Sequence, residues 1–76
     1  MSTHEQLIER LAEQEHNQWV TWAKSLMKNE NLSDERKQRW LKLFCPYSQL
    51  TEEQKDQDRF WARKTLEIVE KYGVWE

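Results

Sequence analysis

Apolar residues recur at every third or fourth position along most of this chain, the period of an α-helix. Leu7, Ile8, Leu11, Ala12, Trp19, Val20, Trp22, Ala23, Leu26 and Met27 form the first such stretch and predict a helix over residues 4–28. Thr3-His4-Glu5-Gln6 reads as its capping box, with the Thr hydroxyl facing the amide three residues on and the Gln side chain reaching back. Asn29-Glu30-Asn31 ends that helix. Ser33 then caps a second helix over 34–44, with Lys37, Trp40, Leu41 and Phe44 on its inward stripe. Pro46 stops it, because the residue before a proline is pushed out of the α region. Thr51-Glu52-Glu53-Gln54 repeats the capping box with an acidic first turn and opens a third helix over 52–72. Gly73 suits the left-handed position after its end, and Val74-Trp75-Glu76 reads as a small flap over the core.

Charge interrupts two of these stripes. On the third helix the positions Ala62, Leu66 and Val69 extend back through Lys55 and Asp58. On the first, the line Ile8, Ala12, Trp19, Trp22, Leu26 carries Glu15, with His16 beside it. In one reading Lys55 lays its stem over the core with its ammonium in water, and Asp58 faces solvent beside Arg59. In the other, Glu15, His16, Lys55 and Asp58 meet in a partly buried polar cluster. A buried charge left unpaired costs several kcal/mol, so members of such a cluster must pair with one another or with a ligand. The cluster would pin the first helix to the third, line a small pocket, or both.

One Gly, one Pro and long runs of Glu, Gln, Lys, Arg, Leu and Ala make the chain all-α, a compact small bundle of three main helices. Its 76 residues form one domain. A chain of this size buries only about 60% of the surface its unfolded form exposes, so the core is expected to consist of few, large pieces. Five of the residues are Trp, and Trp19, Trp22 and Trp61 fall on inward stripes and read as core. Small size also favours a homodimer over a monomer. Cys45, the single cysteine, excludes an intrachain disulfide and reads as a small buried hydrophobe; with His4 and His16 it makes no metal-ligand spacing, and no cofactor is expected. No apolar run is long enough for a leader core or a membrane span, so the expected location is cytoplasmic and no membrane partner is expected.

Arg36, Lys37, Arg39 and Lys42 put a basic face on the second helix with Trp40 among them. Glu30, Asp34 and Glu35 balance it, and a net charge of −2 is far from the basic balance of a nucleic-acid binder. His16 has Glu15 or Asp58 to orient it but no nucleophile context beside it, so the chain does not read as an enzyme.

The run Leu11-Ala12-Glu13-Gln14-Glu15-His16-Asn17-Gln18-Trp19 resembles the opening of the RyR domain, a repeat named after ryanodine receptors that also occurs as a free-standing domain in bacteria and their phages. That opening is a helix with an acidic residue, then His, then Trp three residues later. Pro46-Tyr47, Leu50, Lys55, Asp58-Arg59, Ala62 and Gly73 are similar to the second half of the same family. Where typical members carry a Gly-Trp-x-x-Gly loop after the first helix, this chain has Met27-Lys28-Asn29-Glu30-Asn31-Leu32. The resemblance implies a compact helical unit and a binding module that senses or sequesters a nucleotide-type, phosphate-bearing ligand. His16, Trp19, Tyr47, Lys55, Asp58 and Arg59 are then the ligand-binding candidates, with the phosphate near His16, Lys55 and Arg59. The other reading is a protein-interaction module, phage-encoded and directed at a host protein, that uses Trp40, Phe60, Trp61 and Trp75 as surface anchors.

Overall fold

The computed structural model describes residues 2–73. Three α-helices and one short 3-10 turn follow in order: α1 Thr3–Asn29, α2 Asp34–Leu41, the turn Tyr47–Gln49, and α3 Glu52–Lys71. No strand occurs among the described residues, and the chain is all-α.

The cap of α1 is Ser2, one residue earlier than the Thr3 expected. Its backbone is extended and its hydroxyl accepts from the Glu5 amide at 3.1 Å, so Thr3 is already inside the first turn. Ser33 caps α2 as expected, accepting from the Arg36 amide. That helix ends at Leu41 rather than Phe44, because the amides of Leu43 and Phe44 fall back to the carbonyls of Trp40 and Leu41 and tighten the chain ahead of Pro46. Leu41, expected on the inward stripe, is exposed, and Leu43 packs against the core.

Thr51 and Gln54 cap α3 reciprocally, at 3.1 and 3.0 Å, and Gly73 after its end has φ 65°, a conformation that other residues rarely adopt. The proposed flap Val74–Glu76 lies outside the described residues.

His4 meets Glu70 near one end of the pair and His16 meets Asp58 further along, so α1 and α3 run antiparallel. Their shared core is Ile8 and Ala12 with Ala62 and Leu66, closed at one side by Tyr47 and Leu50 from the connection. Ala12 and Ala62 are completely buried. Two methyl groups facing each other leave no room for indoles, which corrects the expected core of Trp. Trp22 and Trp61 are 55% and 59% exposed, and no large side chain among the described residues is fully buried. Only Trp19 of that trio is half-buried, with its ring 5.6 Å from Trp40.

Through Trp40, which also lies 5.8 Å from Trp22, α2 rests on the far half of α1 instead of joining the main core. The result is a flat molecule of 47 × 24 × 14 Å. No helix among the described residues is long and apolar enough to cross a membrane.

Candidate functional site

His16 is the one buried polar side chain among the described residues, 4% exposed where α1 passes α3. Cys45 stands in the bend before Pro46, outside any helix, and its backbone carbonyl accepts from His16 Nε2 at 2.7 Å. A carbonyl can only accept, so Nε2 carries the hydrogen and, in the neutral ring, Nδ1 presents a bare lone pair. That lone pair faces Asp58 Oδ2 at 3.9 Å, too long for a hydrogen bond. With the ring neutral, two acceptors thus face each other across 3.9 Å.

Burial pushes the Asp58 carboxyl above its ordinary range; a charged His16 pulls it back, and the charge of Glu15 adds to the rise. These three side chains edge a cleft of about 670 Å³ between α1 and α3. Trp19 and Trp61 supply aromatic surface, Leu43 and Leu50 apolar surface, and Gln54 and Gln57 amides that both donate and accept.

On the opposite flank of the same helix pair, beside a second cleft of about 550 Å³ lined by Glu9, Tyr47 and Lys55, the polar groups form a closed network. Tyr47, 7% exposed, donates its hydroxyl to Glu9 at 3.1 Å, and burial together with that carboxylate pushes the phenol up to about 12. Arg59 clamps Glu9 through Nε and Nη2, and its Nη1 reaches Glu52 at 2.9 Å and Asp56 at 2.7 Å. Hydrogen bonds to Glu9, Asp56 and Glu52 hold the guanidinium proton far more tightly than usual, and the Arg59 hydrogen bond holds Glu9 below the usual carboxylate range. Lys55 lies over the Tyr47 ring at 5.5 Å and 3.6 Å from Glu52. Three carboxylates therefore meet two cations, and nothing is left over to draw an anion.

The six candidates separate accordingly. His16, Trp19 and Asp58 come together at the cleft, whereas Tyr47, Lys55 and Arg59 sit in the closed network. The expected cluster of four is corrected to three, Glu15, His16 and Asp58. Residues three apart on a helix point about 60° apart, and Lys55 lies over the Tyr47 ring while Asp58 lines the cleft.

Sequence reasoning missed Glu9, a charge between Ile8 and Arg10 whose partners lie some fifty residues away. It also missed the Cys45 carbonyl, which no side-chain pattern can signal. Gln54 and Trp61 were within reach of it, since they share the stripe of Asp58 at four and three residues' distance. Among the described residues no group of three or more His, Cys, Asp or Glu is placed to hold a metal ion.

Neither a curated protein nor a solved structure matches the chain. The RyR domain family model matches residues 1–75, well beyond the stretches 11–19 and 46–73 that carry the resemblance, and the chain belongs to the RyR domain family.

Proposed function

We propose that this chain is a small, non-enzymatic binding module that takes a nucleotide-type ligand into the α1–α3 cleft, base first. The observation that carries this reading is the pair of facing acceptors, His16 Nδ1 and Asp58, at the wall of a cleft with two indoles. An N–H donor placed between them would satisfy both. A guanine edge offers two adjacent N–H donors and an adenine one amino group, and either ring can stack on Trp19 or Trp61. The cleft volume falls within the range of about 300–1,000 Å³ usual for small-molecule sites.

The cations expected to hold a phosphate are already paired. Arg59 and Lys55 already hold carboxylates on the other flank, and the Thr51 cap occupies the Gln54 amide at the start of α3. Phosphates are therefore directed out of the cleft into solvent. Binding without chemistry suits a sensing or sequestering role in a bacterial or phage setting. A protein-interaction role is the second reading, and the exposure of Phe60 and Trp61 favours it.

Calorimetry with mono-, di- and cyclic nucleotides of adenine and guanine tests the first. Binding that is lost in Asp58→Asn and Trp61→Ala but kept in Arg59→Ala, with all three folded, supports the cleft. No binding across the panel overturns it and leaves the protein-interaction reading.

A further inference from the structure

We propose that the outer stripe of α3 is an interface with a second copy of this chain. Trp61, Thr65, Ile68 and Tyr72 follow one another at intervals of four, three and four residues, the repeat that keeps one seam along a helix. Trp61, Ile68 and Tyr72 are 59%, 60% and 75% exposed. No charged residue interrupts the four, although Arg63, Lys64, Glu67, Glu70 and Lys71 surround them. An uncharged strip rich in aromatic residues inside a charged rim has the composition of an interface core.

The surface area identifies the occupant. A compact monomer of 9.4 kDa exposes about 5,000 Å². This chain exposes 6171 Å², an excess of about 1,200 Å². Each partner of a standard stable interface contributes about 800 Å², so the excess is of the size one self-complementary contact removes.

A two-fold axis across the stripe sets the two α3 helices antiparallel, with Thr65, one of the two central positions of the four, near its own copy at the axis. The seam shares Trp61 with the cleft, but the cleft lining does not include Thr65, Ile68 or Tyr72, and the seam variants below are placed at Thr65 and Ile68.

Sedimentation equilibrium at about 100 µM, well above a micromolar dissociation constant, is the test. Wild type is expected at twice 9.4 kDa and Ile68→Glu at once that mass, with the helical circular dichroism of both the same. Leu41→Glu, at an equally exposed position on α2, is expected to stay dimeric. In a Cys45→Ala background, Thr65→Cys is expected to form an intermolecular disulfide on mild oxidation. A monomeric wild type overturns the proposal, as does a dimer that survives Ile68→Glu or is lost in Leu41→Glu. A dimer in which Thr65→Cys does not crosslink overturns the seam. A monomer whose Trp emission shifts to the red when residues 74–76 are removed assigns the stripe to that tail and also overturns it.

Discussion

The two flanks of the α1–α3 pair are built from the same helices, less than two turns apart, yet they end in opposite states. On one flank every strong donor has an acceptor: Tyr47 bonds Glu9, and Arg59 bonds Glu9, Glu52 and Asp56. On the other, His16 spends one nitrogen on the Cys45 carbonyl and turns the second toward a carboxylate that it does not reach. Arg59 has several donors arranged in a fork and can satisfy three acids at once, whereas an imidazole has two nitrogens, and one is already used. The closed flank therefore reads as architecture and the open one as a site. A charged pair in a motif is informative about function only once it is known which of its partners are missing.

Separating the helices would erase the difference. Ala62→Leu places three extra carbons against Ala12, and overpacking of a filled seam costs on the order of 3 kcal/mol. Loss of both the Tyr47 network and the cleft is expected, seen as a lowered urea midpoint together with loss of ligand binding.

Breaking the closed flank alone is the next largest effect. Arg59→Ala leaves Glu9 partly buried with only the Tyr47 hydroxyl. The side chains of Arg59 and Glu9 are 16% and 29% exposed, so the expected loss of about 2 kcal/mol lies between that of an exposed pair and that of a buried one. Binding at the cleft is expected to be unchanged in this variant, which chemical denaturation and calorimetry check together. Tyr47→Phe keeps the ring and removes one hydrogen bond, for about 1 kcal/mol by the same denaturation assay.

The smallest effect is the most discriminating, because its sign differs between the flanks. Glu9 is held below the usual range, so its stabilisation is complete above the unfolded value of about 4.3 and is lost as the pH falls through the lowered folded value. Glu9→Gln should thus be less stable than wild type at pH 7, with the gap closing in acid. Asp58 is raised, so its ionised form costs stability at pH 7, and that cost disappears as the pH falls through the raised folded value toward about 3.9. Asp58→Asn should be slightly more stable than wild type at pH 7, within about 0.5 kcal/mol, and should lose that advantage in acid. Urea midpoints of the two variants and wild type at pH 7 and pH 3 measure both signs.

The caps and periodicity carried most of the architecture into the sequence. Ser33, Thr51 and Gly73 act where local rules put them, because their partners lie within a few residues. Asp58 was legible as an oddity for the same reason, as a charge on the stripe of Ala62 and Leu66. What failed depended on the distance between helices. Periodicity places Trp22 and Trp61 toward the core side, but the Ala12–Ala62 contact brings the backbones so close that large rings are forced out to the flanks. Helical spacing puts Lys55 with Asp58 but does not say which flank of the helix pair each side chain takes, and Lys55 goes to the Tyr47 ring. Glu9 had no local signal at all, since its acceptor role is created only when α3 packs back on α1.

The division of labour between the flanks is tested most directly by a ¹H–¹⁵N NMR titration of the wild-type chain with guanosine monophosphate. The indole Nε1–H signals of Trp19 and Trp61 and the amides of residues 54–58 are expected to shift together, while the Nε–H of Arg59, already bonded to Glu9, stays in place. Movement of the Arg59 Nε–H while both indoles remain still would place the ligand on the closed flank and contradict that division of labour.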